Sequence, residues 1–292
     1  MKPPRFDYHD PTTVEEVLDL LSEFGDDAKV LAGGQSLMPM LNFRLARPAH
    51  LVDINRVSAL SAATASADTL TVGAMTRQRA LERSAQVHDW CPLLRRALAL
   101  VGHPPIRNRG TLGGSLAHAD PAAELPAVAL ALDARLVLRR SSGRRVVPAK
   151  DFFVGQLATV TRPDELLVAV ELPAWPRRTG YAIQEVAMRR GDFALGGLIA
   201  VLSFGVDGRI EAARIVGFGL ADRPIRVDAA EAVLVGTEAT DQVFGEAARL
   251  VSRAVDPPND IHASADYRRR LAGVLTRRAL VEAAASARRL AA

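Results

Sequence analysis

Two short runs in this 292-residue chain combine paired glycines with a hydroxyl side chain. Gly33-Gly34-Gln35-Ser36 directly follows the apolar run Val30-Leu31-Ala32, and Gly113-Gly114-Ser115 closes a glycine- and proline-punctuated stretch that begins at Gly102. Paired glycines let the backbone reach positive φ and approach a ligand with no Cβ in the way. Successive N–H groups in such a bend form a concave anion site, and a neighbouring hydroxyl adds a donor. Two such bends in one chain suit a diphosphate bridge, which needs donors from both sides. Each taken singly is also an ordinary tight turn, because glycine is the default turn residue. The residues alone reach an anion and not a named ligand.

Other chemistries are poorly supported. The chain has no G-x-G-x-x-G and no G-x-x-x-x-G-K-[ST], so a dinucleotide would bind outside the Rossmann and P-loop schemes. Gly113-Gly114-Ser115-Leu116-Ala117 approaches the G-x-S-x-G nucleophile elbow but ends in alanine, and His118 and Asp120 lie too close in sequence to define a triad. The 6 histidines show no paired metal spacing. The lone cysteine, Cys91, excludes an intrachain disulfide and any four-thiolate cluster. Glu124, in the helix expected after Asp120-Pro121, either complements the helix N-terminus or accepts hydrogen bonds from a ribose or base. Arg189-Arg190-Gly191-Asp192-Phe193 is either a charged turn or a means of placing Phe193 against a flat ring.

The elements that must hold these residues read as α+β. Thr13 and Glu16 form a capping box for a helix carrying Val14, Val17, Leu18 and Leu21, with Gly25 as its stop. Short strands are expected at 30–32 and 51–54, and a hairpin over 60–74. Helices follow around 76–83 and 92–101, and then a long loop from Gly102 to Ser115. Asp120-Pro121 reads as an N-cap with proline at the first helical position, starting a helix through about Leu132. Strands at 135–139, 144–147 and 166–172 precede Pro173-Ala174-Trp175-Pro176, the candidate boundary. Beyond it come strands at 181–188, 198–204 and 210–218, then helices at 227–235, 240–255 and 265–286.

Composition bounds the function. Hydrophobic residues make up 49% and charged residues 24%, enough apolar material for a proper core. No run reaches the length of a membrane span, and the N-terminus lacks a signal-peptide core, which gives a cytoplasmic reading. The net charge of +4 could suggest nucleic acid, and Arg268, Arg269, Arg270, Arg277, Arg278, Arg288 and Arg289 face only Asp266 and Glu282 in the last segment. With aromatics at 5%, stacking platforms are scarce, and a solvated or partner-facing helix is the better reading.

The ordered motifs Ala32-Gly33-Gly34-Gln35-Ser36-Leu37, Ile106-Arg107-Asn108-Arg109-Gly110-Thr111-Leu112-Gly113-Gly114-Ser115 and Ala119-Asp120-Pro121-Ala122-Ala123-Glu124-Leu125-Pro126 resemble those of the FAD-binding medium subunit of molybdenum hydroxylases, the family of carbon monoxide dehydrogenase medium subunits and the flavin portion of xanthine dehydrogenase. Arg189 to Ala194 and Ala263 to Arg268 resemble its C-terminal landmarks. The resemblance implies a two-lobed FAD-binding domain of the vanillyl-alcohol-oxidase (PCMH) type over 1–175, with lobes of about 1–56 and 57–175. A smaller α+β domain, an antiparallel sheet with helices, would follow over 178–288.

The same resemblance assigns site residues. Leu31, Ala32, Gly33, Gly34, Gln35, Ser36 and Leu37, with Thr111, Gly113, Gly114 and Ser115, would line the FAD phosphates and ribityl chain. Val101, Gly102, Ala117 and His118 fall at further flavin contacts, and Glu124 at an acidic one. Leu166 or Leu167 would flank the isoalloxazine and Phe193 would lie beside it. Gln184 is expected where many relatives carry lysine. It leaves the flavin potential open and motivates a second reading, an assembly module with degenerate cofactor use. No catalytic acid, nucleophile or metal ligand is expected in this chain. The implied partners are a small subunit with two [2Fe–2S] clusters and a large molybdopterin subunit that hydroxylates the substrate, assembled as a dimer of heterotrimers. FAD would pass electrons to NAD, quinone, dye or oxygen.

Overall fold

The structure, a computed structural model, describes residues 2–176 and 178–291. The capping box forms as its spacing dictates. Thr13 Oγ1 accepts the Glu16 N–H at 3.2 Å, and Glu16 Oε2 accepts the Thr13 N–H at 3.3 Å. The helix Val14–Phe24 lays its apolar stripe toward a small parallel sheet of Asp7–His9, His50–Asp53 and Ala28–Leu31, in that spatial order. Their shared core takes Val17, Leu18, Leu21, Val52 and Ile54, and extends to Leu166 and Val168 of the second lobe.

The second lobe is built on an antiparallel sheet, ordered Ala63–Ala65, Thr69–Gly73, Leu166–Pro173, Arg135–Arg140, Gly143–Pro148. Its helical layer differs from expectation at several places, among them a short helix at Ala149–Phe152. Ser84 Oγ accepts the Val87 N–H at 3.2 Å and starts an unforeseen helix, Ala85–Trp90. The stretch read as a loop folds into two helices, Pro104–Arg109 and Leu112–His118. Two prolines are tolerated at the start of the first because those N–H groups have no partner inside the helix anyway. Finally, Asp120-Pro121 does not begin a helix. Asp120 Oδ1 accepts the Ala122 N–H at 2.9 Å, and the helix starts later, at Glu124–Ala131.

The last sheet is antiparallel, ordered Thr179–Ala187, Ala194–Phe204, Ile210–Phe218, Ile225–Arg226. Residues alternate across it. Ala182, Leu198, Ala200 and Leu202 pack with the helices Asp241–Ala254 and Ala265–Ala291. Ile183, Ile199 and Val201 enter the core of the second lobe. This sheet is therefore buried on both faces and sits on the lobe as a lid on a box. Asp133 reinforces the seam, accepting from Arg226 at 2.8 Å and Arg214 at 2.7 Å.

Several arginines of the terminal helix are structural. Arg268 is buried, bonded to the Leu195 carbonyl and to Asp260, and Arg269 and Arg277 pair with Asp266 and Asp241. No helix among the described residues is long and apolar enough to cross a membrane.

Candidate functional site

The strand Ala28–Leu31 runs into the first glycine bend, where Gly34 adopts φ +72°, a conformation that favours glycine. Among the described residues, the N–H groups of Gly34, Gln35 and Ser36 make no hydrogen bond. Gln35 Nε2 donates to the Gly33 carbonyl at 3.0 Å and braces the bend from within. Ser36 precedes the helix Leu37–Asn42, and its hydroxyl has no partner among the described residues. Three free amides and a hydroxyl ahead of a helix make an anion cradle.

The second glycine pair does something else, and the expectation of a matching bend is corrected here. Gly113 and Gly114 lie in the first turn of the helix Leu112–His118, with φ below zero. Its leading amides are occupied: Leu112 N–H bonds Thr76 O at 3.1 Å, Gly113 N–H bonds Ala74 O at 2.8 Å, and Gly114 N–H bonds Thr111 Oγ1 at 3.1 Å. A Cβ on Gly113 would lie 2.8 Å from the Ala74 Cα, so glycine is there for close packing. What this segment offers a ligand is the Ser115 hydroxyl, which has no partner among the described residues.

The two segments do converge. A Cβ on Gly33 would lie 2.8 Å from Gly110 Cα, and one on Gly114 would lie 3.4 Å from Ala32 Cβ. A polar relay that the sequence reading missed ties them. Arg77 donates to the Arg109 carbonyl and, at 2.6 Å, to Asn55 Oδ1, while Asn55 Nδ2 donates to the Ala32 carbonyl at 2.8 Å. Burial and the neighbouring Arg109 guanidinium lower the Arg77 pKa, against the pull of Asp53. Two guanidinium groups thus stand at the seam, which favours a doubly charged ligand such as a diphosphate.

The other expected contacts distribute unevenly. Val101 and Gly102 have their carbonyls held by Arg107 Nη1, each at 2.9 Å, and Gly191 packs on Gly102 and His103. Phe193 follows that contact and is 64% exposed, free to cover a flat ring. Ala117 is exposed and His118 half-buried. Burial lowers the His118 pKa, Asp120 opposes, and Lys29 of the strand Ala28–Leu31 adds to the lowering. Leu31 and Leu37 flank the bend, half-buried. Leu166 and Leu167 do not join an open surface. They are 4% and 5% exposed and pack into two different cores.

Gln184 is also a correction. Its amide donates to Glu282 of the terminal helix at 2.5 Å, on the far side of the sheet from Glu124. Strand alternation turns the next residue, Glu185, toward Glu124 instead. Burial lifts Glu185 to about 7, and burial together with the Glu185 charge lifts Glu124 to about 8. Between the ordinary value of 4.5 and about 8 the folded chain holds a proton on Glu124 that the unfolded chain has lost. This contribution to stability therefore falls as pH rises through that window. Glu124→Gln removes it. In urea denaturation of the cofactor-free chain we expect near-parity with the parent at pH ~5 and a gain of roughly 2–4 kcal/mol at pH ~8. Parallel pH profiles for the two proteins would contradict the burial of an ionising Glu124. Among the described residues no cluster of three or more histidine, cysteine or acidic side chains could hold a metal ion.

Comparison with known proteins shows the family and the fold. Residues 4–175 match the family described as the FAD binding domain in molybdopterin dehydrogenase, and residues 181–283 match the CO dehydrogenase flavoprotein C-terminal domain. The chain is 42% identical to the 6-hydroxypseudooxynicotine dehydrogenase complex subunit alpha of Paenarthrobacter nicotinovorans, covering 99% of this chain and 97% of that one. It is 41% identical to the caffeine dehydrogenase subunit beta of a Pseudomonas species, covering 97% and 96%. A carbon monoxide dehydrogenase structure from Hydrogenophaga pseudoflava superposes with a TM-score of 0.95 at 40% identity, over 98% of this chain and 99% of that one.

Proposed function

Since the chain belongs to the FAD-binding medium subunits of the molybdenum hydroxylases, we propose that it carries FAD as the electron-exit subunit of a three-subunit dehydrogenase. The small partner would hold two [2Fe–2S] clusters and the large one molybdopterin, where substrate is hydroxylated. The whole would be a dimer of heterotrimers. The observation that carries this reading is the convergence of the amide-lined bend at Gly34–Ser36 with the Ser115 hydroxyl, across a seam bearing Arg77 and Arg109.

The residues present fit FAD unevenly, and the roles follow. Gly34, Gln35 and Ser36 would hold one phosphate through their free amides, and Ser115 would donate to the other. Lys29 and Arg109 would neutralise the charge. The Val101–Gly102 turn, held by Arg107, would support the ring, and Phe193 would exclude water from its open face. When bound, FAD supplies the ability to take electrons singly from a cluster and give them up in pairs. The final acceptor would be NAD, quinone, dye or oxygen.

The test is preparation of the full chain with and without its partner subunits. We expect one FAD per chain, released on denaturation, and dye reduction only in the assembled complex. A chain that stays colourless in excess FAD overturns the reading. A complex that holds FAD yet reduces dye equally well after FAD is stripped overturns the electron-exit role.

A further inference from the structure

The hairpin at the outer edge of the second-lobe sheet reads Arg139-Arg140-Ser141-Ser142-Gly143-Arg144-Arg145, and its turn bounds a cavity of about 120 Å³. Arg140, Arg144, Arg145 and Arg162 line it, with Glu165 as the one carboxylate on its wall. That carboxylate is already spent. Its side chain is 2% exposed, its two oxygens accept from Arg145 Nε and Nη2 at 2.7 Å each, and it takes the Arg162 N–H at 2.9 Å. The Arg145 bonds hold it below the usual carboxylate range against the opposing effect of burial. The Val160 carbonyl fixes Arg145 further, at 2.7 Å, and leaves its Nη1 without a partner among the described residues.

The guanidinium groups of Arg140, Arg144 and Arg162 make neither hydrogen bond nor ion pair among the described residues, and the Ser142 hydroxyl is equally free. Asp164, adjacent to Glu165, pairs with none of them. Arg139 shows the contrast, since it reaches Glu15 of the first helix at 3.1 Å. Four positive charges around one cavity, with a single committed counter-charge, repel one another, and an anion among them relieves that repulsion. A planar guanidinium fork also matches the oxygens of a phosphate in pairs. The cavity is small against the ~300–1,000 Å³ of ordinary ligand pockets, which suits one phosphoryl group and not a whole nucleotide. Ser142 and Gly143 are exposed, and nothing lies within 4 Å of the Gly143 Cβ position, so the mouth opens to solvent.

We propose that this hairpin cavity binds a phosphoryl group, as inorganic phosphate or as the phosphate end of a monoester whose organic part projects through the mouth. Arg140, Arg144 and Arg162 supply charge, Arg145 Nη1 and the Ser142 hydroxyl supply donors, and Glu165 is the positioning residue that orients Arg145. With Glu165 committed, the wall offers the guest no side-chain acceptor, so a sulfate should bind as well as a phosphate dianion. The site is distinct from the amide-lined bend at Gly34–Ser36 and does not rest on the flavin reading. Occupancy would also brace the two lobes. Leu166, next to Glu165, enters the core they share, and Arg139 at the other side of the hairpin reaches the first helix.

The test titrates the full chain by calorimetry with inorganic phosphate, sulfate and glycerol 3-phosphate at pH ~8, where phosphate is a dianion, at an ionic strength held constant with chloride. We expect one phosphate per chain, sulfate within about threefold in affinity, and a melting temperature that rises with occupancy. Glycerol 3-phosphate that binds like phosphate identifies a monoester ligand, and much weaker binding identifies the free ion. Arg144→Gln with Arg162→Gln should weaken phosphate binding by roughly tenfold or more. Arg249→Gln with Arg253→Gln, an equal loss of exposed charge on the helix Asp241–Ala254, should leave it unchanged. Equal losses in the two double variants, or no binding beyond that of chloride, overturn the proposal. So does displacement of phosphate by saturating FAD, which would place the ion at the glycine bend. If the first double variant does not fold, phenylglyoxal labelling of the parent decides. Phosphate should slow labelling of Arg140, Arg144 and Arg162 and spare Arg253, and labelling that phosphate leaves unchanged at all four overturns the proposal.

Discussion

Gly33→Val is expected to strip the chain of FAD while costing about 3 kcal/mol of stability, the upper end of what overpacking does. A Cβ at this position would meet Gly110 Cα at 2.8 Å and the Arg109 carbonyl carbon at 3.0 Å, both of them backbone. Backbone cannot rotate out of the way as a side chain can, so the bend must lift off the end of the helix Pro104–Arg109. Lifting it separates the free amides of Gly34–Ser36 from Ser115, and a ligand that needs both sides loses one. The affinity loss should exceed a hundredfold, which about 3 kcal/mol of lost contact corresponds to. Gly25→Ala is the control. Gly25 has a positive φ of +50°, which Gly33 does not, but nothing lies within 4 Å of its Cβ position, so its backbone penalty of about 1–2 kcal/mol should leave flavin content unchanged. FAD per chain after gel filtration is the readout. A Gly33→Val protein that keeps a full complement of FAD would show that the two segments need not touch.

What the sequence makes legible is local or repetitive. Thr13 and Glu16 announce their helix because both partners lie within one turn. The alternating strands of the second lobe show themselves in the same way. The second glycine pair misleads for a physical reason. Glycine is a poor helix former, so Gly113-Gly114 reads as a bend. The demand it answers, room against Ala74, comes from a residue almost forty positions away. The Gln184 expectation fails differently. Tyr181-Ala182-Ile183 is apolar at every position because this sheet is buried on both faces, so hydrophobicity carries no phase. Only the place of the terminal helix, which pairs Glu282 with Gln184, decides that Glu185 points the other way. The relay through Asn55 and Arg77 left no signal at all. Each is a single polar residue in unremarkable surroundings, and its meaning lies in carbonyls 23 and 32 residues away.

That relay carries the second large effect. Arg77→Met is expected to weaken FAD binding by roughly 10–100-fold and to cost about 2–3 kcal/mol of folding stability. The guanidinium bridges Asn55 Oδ1 at 2.6 Å and the Arg109 carbonyl, while Asn55 reaches Ala32 at 2.8 Å and takes its own orientation from Asp53, whose Oδ1 accepts the Asn55 N–H at 2.9 Å. Removing the arginine leaves two acceptors without donors at a half-buried seam and frees the first bend to drift from the second. Solvent can satisfy part of that loss, which is why the stability cost falls short of two full charge-assisted bonds. Arg77→Lys should recover little, because one ammonium cannot span two acceptors in the fixed fork that a guanidinium provides. The diagnostic is the combination with Asn55→Ala. If both residues act through one relay, the double variant should lose little more affinity than the worse single variant. Losses that simply add would mean that Arg77 and Asn55 support the site independently, and that the seam is held by the Gly33–Gly110 packing alone.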